Sequence, residues 1–386
     1  MRGSGVFLLL MGALLTAAGY GATFLLTEHF RSLGGSEIET GKVLGGAVVG
    51  TFVGVPLVGW LSGRTGGARL AALGALLLAI GYFVLAGMTV LSPLIVFVGG
   101  IVGLGWGTFY LAAPIAVSER VTDADRGFWF TRVGAFQMAG IGGSPVLALL
   151  LANTLHFSTA AIFRMLATAC LAAAICLWLF ESAVPHPRRA TAGGNSNWIY
   201  SLGPIARTRA IYPVVMVCLG ACVFTGMMTF QSSLVRASGL NAGVYFAAYA
   251  VVVVVTRFTL APAINRADGD RMAVLLLLVM AAGVLAMFAV SLGTAVQLLS
   301  AVLLGLGYGL AYTIIQTQVV NDAPEQHRNG ALTWFVVSYF IGIFGFPVIG
   351  GWLIVARGTN VFLAVVLACA LAELALAVMR RTGKLI

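Results

Sequence analysis

"GLGWG" at residues 103–107 returns as "GLGYG" at residues 305–309, 202 residues further on. A glycine-spaced aromatic written twice calls for a search for a longer repeat. Sliding the sequence by 202 without a gap pairs Gly103 with Gly305, Gly107 with Gly309, Tyr110 with Tyr312, Arg126 with Arg328, Gly140 with Gly342, Gly143 with Gly345 and Pro145 with Pro347. Thirteen of the 44 positions from 103 to 146 are identical at this offset, and Arg64, Gly67 and Arg69 meet Arg266, Gly269 and Arg271. The chain is two copies of one unit, each about half of it.

The composition says where such a unit lives. Sixty per cent of the residues are hydrophobic and only 9% are charged, against about 25% charged in a soluble domain. Apolar runs follow one another along the chain, each long enough to cross a hydrocarbon core of about 30 Å as a helix. The expected spans are 5–27, 41–62, 70–90, 93–117, 128–152, 158–180, 211–234, 243–264, 272–292, 295–319, 331–354 and 359–379. That predicts an all-α membrane protein of twelve transmembrane helices, six per repeat. Residues 1–180 and 211–386 are the expected bundles. The polar stretch 181–210, rich in Pro, Gly, Ser and Arg, is the expected cytoplasmic linker. The first span is too long for a secretory signal and precedes no convincing cleavage site, so it reads as a membrane helix. Ser36 three before Glu39 makes a capping box for the second span, and Asn241 caps the eighth.

Charge sets the expected orientation. With the N-terminus cytoplasmic, fifteen of the 22 Lys and Arg fall on the cytoplasmic side, four on the other, and Arg132, Arg164 and Arg257 lie within spans. This satisfies the positive-inside rule with both termini cytoplasmic. The net charge of +10 then reflects topology and needs no nucleic acid. The five cysteines all fall within spans and suggest no disulfide framework. No nucleophile–base spacing, metal box or phosphate loop is present, so neither an enzyme nor a cofactor is expected, and no sensory domain is attached.

Between the second and third spans the chain reads "GWLSGRTGGAR", residues 59–69. This resembles the loop signature of the major facilitator superfamily: Gly59, Leu61, Arg64, Gly66 and Arg69 fit, while Gly63 stands where the family has an aspartate. The second-half counterpart, "RFTLAPAINRADGDR" at 257–271, matches at Arg257 and Arg266 and departs at Ala261 and Asn265. "GIGGSP" and "GIFGFPVIGG", in the fifth and eleventh spans, are similar to a glycine–proline motif of many exporters in the superfamily. The resemblance covers essentially the whole chain. It implies two pseudo-symmetric six-helix bundles around a central cavity, opening to either side in turn, in a bacterial-type plasma membrane. Gly59, Arg64, Gly66, Arg69, Arg257 and Arg266 would then form conformational latches, the first half's weakened by Gly63. Independently of the family, Arg at a helix end can engage exposed carbonyls or a neighbouring carboxylate.

The resemblance also places the first, fourth, seventh and tenth spans around the cavity. Thr16, Tyr20, Thr23 and Thr27 share one helical face, and the shift by 202 turns them into Cys218, Cys222, Thr225 and Thr229. Trp106 and Tyr110 are added by the fourth span, and Tyr308, Tyr312 and Gln316 by the tenth. Aromatic walls with a few hydroxyls suit an amphipathic organic solute; Ser and Thr also serve simply to join membrane helices. Arg164 is a candidate for an anionic group, because a charge within a span is functional by default. No acid lies in the middle of a cavity span. Glu28 and His29, at the outer end of the first, are the candidates for a coupling proton. The expected function is secondary active transport of a small organic solute by a monomer, as an exporter. The alternative is import of a small nutrient, an anionic one engaging Arg164 or Arg132; less favoured is a soft metal or metal complex at Cys218 and Cys222, because membrane Cys mostly packs.

Overall fold

The structure, a computed structural model, describes residues 3–184, 199–260 and 267–383. Among them every regular element is helical and there is no strand. The chain divides into two compact units, 1–194 and 195–386.

In the first unit, α1 (Gly3–Gly21) passes through a 3₁₀ turn at Ala22–Leu25 into α2 (Leu26–Ser32). There follow α3 (Glu37–Thr65), α4 (Gly67–Gly87), α5 (Ile95–Ser118), α6 (Asp123–Leu155) and α7 (Thr159–Ala183). α3 opens with the expected capping box, Ser36 accepting from the Ile38 N–H and Glu39 accepting from the Ser36 N–H. It ends at Gly66, whose φ of +83° is one that L side chains rarely adopt.

In the second unit, a short α8 (Leu202–Ala206) precedes α9 (Ile211–Thr229) and α10 (Gln231–Arg236). Then come α11 (Ala242–Thr259), α12 (Gly269–Met287), α13 (Thr294–Asp322), α14 (Arg328–Phe340), α15 (Phe346–Arg357) and α16 (Thr359–Thr382). Asn241 caps α11 by accepting from the Gly243 N–H. α14 runs into α15 through a π-helical turn at Ile341–Gly345, within the glycine–proline stretch. The matching stretch of α6 continues as α-helix through Pro145.

Among the described residues eleven helical segments are long and apolar enough to cross a membrane, which makes the chain a multi-pass membrane protein. The expected eighth span, 243–264, is the exception. Its helix, α11, ends at Thr259, and 261–266 lie outside the described residues. So do 185–198 of the expected linker. Phe97, Trp178, Leu285 and Trp352 are among the large apolar side chains left exposed, as lipid-facing helix surfaces require.

The repeat is visible in how each unit packs internally. α5 lies against α3 and α4, α4 against α7, and α1 against α6 and α7. In the second unit α13 lies against α11 and α12, α12 against α16, and α9 against α14 and α16. The opening motif works the same way in both. A Cβ on Gly105 would lie 2.8 Å from the Gly74 carbonyl of α4, while Gly103 and Gly107 face Ala47 and Thr51 of α3. A Cβ on Gly307 would lie 2.6 Å from the Leu276 carbonyl of α12, while Gly305 and Gly309 face Val252 and Val253 of α11. Residues four apart share a helical face and the one between lies opposite. G-x-G-x-G therefore lets one helix approach two neighbours closely, without hydrophobic driving force from lipid.

Candidate functional site

The aromatic between the glycines turns to the unit's first helix. Trp106 stacks on Tyr20 with ring centroids 4.4 Å apart and planes 18° from parallel. Tyr20 also meets Phe24 edge-on, and Trp106 carries Phe109 and Tyr110 beside it. Both Tyr20 and Trp106 are buried, and the Trp106 indole N–H has no hydrogen-bond partner among the described residues.

The second unit repeats the pair with different residues. Tyr308 stacks on Phe224 at 4.7 Å and 5°. Tyr308 leads to Tyr312, and Tyr312 to Phe335 and Tyr339 of α14. Phe224, Phe335 and Tyr339 were not singled out by sequence reading. Phe224 lies two residues beyond Cys222, the position equivalent to Tyr20, so the repeat did not point to it. Gln316 is half-buried on α13.

The threonines are buried, and their hydroxyls are engaged. Thr16 donates to the Gly12 carbonyl and Thr23 to the Tyr20 carbonyl, while Thr27 lies 3.2 Å from Thr40. Thr225 and Thr229 are 3.1 Å apart. Two residues on, Gln231 is fully buried with both amide heteroatoms unpartnered among the described residues. It occupies the place of His29 in the repeat. His29 Nε2 lies 3.0 Å from the Leu85 carbonyl and so must carry hydrogen, while Nδ1 is 3.2 Å from the Thr159 hydroxyl. Glu28, beside it, pairs with Arg31 at 3.2 Å and is part-exposed.

Arg164 lies exposed in the second turn of α7, about 7.5 Å along the axis from the helix start at 1.5 Å per residue. Arg132 lies over the rings of Phe128 and Trp129, at 5.0 and 5.8 Å.

The loop arginines find specific neighbours. Arg64 lies over the Trp60 ring at 4.3 Å. Arg69 is 3.7 Å from Glu181 and lies over Trp178. The acid that Arg69 meets comes from the end of α7. Gly66 leaves room for that carboxylate: a Cβ there would lie 2.9 Å from Glu181 Oε1. A Cβ on Gly59 would meet nothing. Arg257 Nε is buried without a partner among the described residues, and Arg266 lies outside them.

Sequence reading counted Arg120 and Arg380 only as topology charges; each is the centre of a network. Arg120 donates to Glu119, to Glu181 and to the carbonyls of Ala116 and Val184. Glu119 in turn accepts from the Gly67 N–H at the start of α4. In the second unit Arg380 pairs with Asp270 and Asp322, and Arg209 donates to the Arg380 carbonyl. Both networks join the start of the unit's third long helix to the ends of its fourth and sixth. The scarcity of acids, 12 in 386 residues, was the available signal.

Helical units repeated in sequence and packing, with charge gathered at helix ends, agree with the family comparison. The sequence profile described as Major Facilitator Superfamily matches residues 6–347. The chain belongs to the Major Facilitator Superfamily. Solved structures similar in fold include an auto-inhibited POT family peptide transporter, 14% identical with a TM-score of 0.73 over 98% of this chain and 96% of that one. The POT family transporter PepTSo is 13% identical, TM-score 0.74, over 99% and 98%. The nucleoside transporter NupG is 16% identical, TM-score 0.76, over 98% and 99%. No curated protein matches the sequence significantly. Family membership supports a secondary transporter rather than an enzyme. Among the described residues no group of three or more His, Cys, Asp and Glu could hold a metal ion.

Proposed function

We propose that this superfamily member exports a small, amphipathic organic solute by alternating access, as a monomer in the plasma membrane with both termini cytoplasmic. The observation that carries the solute class is the stacked aromatic pair in each unit, Tyr20 with Trp106 and Phe224 with Tyr308. Among the described residues the Trp106 indole N–H of the first pair has no hydrogen-bond partner, nor has the buried Gln231 amide two turns beyond Phe224. Flat apolar faces with a few free polar atoms fit a ring-bearing solute better than a sugar or an inorganic ion. The feature favouring export is the glycine–proline stretch in both units, similar to a motif of many exporters in the superfamily; in the second unit it contains a π-helical turn. The charge bias of the loops supports the orientation.

The Arg69–Glu181 contact and the buried Arg120 network are the proposed latch of the first unit; Arg380 with Asp270 and Asp322 is that of the second. Glu28 and His29 are the proposed proton carriers of the first unit, His29 being held by the Leu85 carbonyl. The competing reading, import of a small anion, draws on Arg164, which has no polar partner among the described residues and is exposed.

A thermal-shift screen of the purified protein against organic cations, organic anions, sugars and metal chelates tests the reading. A ligand that binds only the native state must stabilise it. Stabilisation by bulky apolar cations, lost in Tyr110→Ala or Tyr312→Ala, is the expected result. Stabilisation by small anions, lost in Arg164→Ala or Arg132→Ala, replaces export with the anion reading.

A further inference from the structure

The acids described above meet a cation or sit at a helix end. Glu373 does neither. It lies in the middle of α16, 2% exposed, and its Oε2 makes no hydrogen bond among the described residues. The carboxyl rests against α9 at Gly220, where a Cβ would lie 2.8 Å from each of its oxygens. Only glycine leaves the acid its place.

Among the described residues the elements packed against it bring no positive charge to the carboxyl. From α9, Cys218 and Cys222 face this region, and Cys369 lies one turn away on α16 itself. Cys222 lies near both Cys218 and Cys369. Thiols are weak donors and do not replace a cation. α12 carries charge only at Asp270 and Arg271 in its first turn, and α15 only at its last residue, Arg357. Arg380 is two turns along α16, about 10 Å away, and is already paired with Asp270 and Asp322. An unpaired carboxylate in such a place costs several kcal/mol or more, whereas the neutral acid gives up only a hydrogen bond.

The repeat isolates the feature. Where α1 crosses α7, Gly19 meets the Cys170 side chain, and the Tyr82 hydroxyl donates to the Gly19 carbonyl. The same crossing in the first unit is closed by neutral groups. In the second it holds an acid, seated against Gly220 of α9.

We propose that Glu373 is a proton-binding site, holding its proton while α16 and α9 are packed and exchanging it with water when they part. The step is a plain proton transfer. The carboxyl O–H bond breaks, a water oxygen takes the proton, and a carboxylate remains. Repacking returns the proton, because the closed site offers no cation to the carboxylate. Conformation and protonation are thereby linked through one residue on a helix that sequence reading did not consider. Service as a coupling proton rests on the transporter reading; the proton site does not.

Infrared spectroscopy of the protein in lipid vesicles at neutral pH tests this without knowing the solute. The spectrum of wild type minus Glu373→Gln is expected to show the C=O stretch of a protonated carboxylic acid. That band is expected to shift when folded wild type is moved into D2O. Glu373→Asp, which keeps the acid one methylene shorter, is expected to move the band and stands in if the Gln variant does not fold. Carboxylate bands alone would overturn the proton. A carboxylic band that D2O leaves unmoved in the folded protein would overturn the exchange. Either failure leaves solute binding intact, and a failed solute screen leaves the infrared result intact.

Discussion

Arg120 at the end of α5 donates to Glu181 at the end of α7, with both side chains out of solvent. The guanidinium also holds Glu119 and two backbone carbonyls, and lies 4.8 Å from the Phe180 ring. A buried charge so engaged is costly to orphan, about 3–5 kcal/mol when one partner is removed. Arg120→Ala and Glu181→Ala are each expected to destabilise by that order in reversible unfolding from detergent. Their double-mutant cycle is expected to return a coupling of about 1–3 kcal/mol. Additivity within about 0.5 kcal/mol would show that the two side chains do not act together.

Close helix approach at the repeated motif is testable by one methyl group. Gly105→Ala and Gly307→Ala would drive a Cβ to within 2.8 and 2.6 Å of a facing carbonyl. Backbone cannot yield as a flexible side chain does, so each is expected to cost about 1–3 kcal/mol. Gly143→Ala is the control: it is helical and exposed, and a Cβ there meets nothing within 4 Å. Helix propensity makes it neutral or stabilising by about 0.5–1 kcal/mol. Equal effects at all three positions would remove packing as the reason for the motif.

The fold was largely legible because the repeat and the lipid both act through patterns that sequence preserves. Glycines two apart, a capping box at Ser36 and runs of apolar residues need only local geometry to be interpreted. The aromatic pair was half legible. Tyr20 and Trp106 could be placed on facing helices, but Phe224 could not, because the repeat substitutes Cys222 at the equivalent position. The Arg120 and Arg380 networks and the seat of Glu373 were not legible. Each depends on which helix end or helix middle lies beside it, which hydropathy does not encode. Glu373 in particular sits in the last span, outside those that the family resemblance places around a cavity.

Trp106 separates packing from recognition. Its indole N–H is buried without a partner among the described residues, so Trp106→Phe removes no protein hydrogen bond and keeps a ring to stack on Tyr20. Stability is expected to fall by no more than about 1–2 kcal/mol, the usual range for a core change of this size. If the N–H serves a solute, thermal stabilisation by hydrogen-bond-accepting ligands is expected to drop several-fold while purely apolar ligands keep theirs. Parallel loss for both ligand types would make the residue a packing element only.

Glu28 and His29 are adjacent in sequence and opposite in setting, which lets their roles be told apart. Glu28 is part-exposed and shares Arg31 with Glu37, so Glu28→Gln is expected to change stability by less than about 1 kcal/mol. His29 is buried between the Leu85 carbonyl and the Thr159 hydroxyl. Removing it in His29→Ala takes away one of the two hydrogen bonds to the Leu85 carbonyl, which keeps that from the Met88 N–H, and empties a buried ring site; the expected cost is about 1–3 kcal/mol. In vesicles carrying a pH gradient, the proton-carrier role predicts that Glu28→Gln slows gradient-driven movement of a ligand found in the thermal screen, with exchange at equal pH unchanged. Full gradient-driven movement in Glu28→Gln would take Glu28 out of the proton path. His29→Gln, the residue type that the repeat itself uses at Gln231, then decides the matter for His29. A stable variant that still follows the pH gradient would assign both residues to holding α2 against its neighbours.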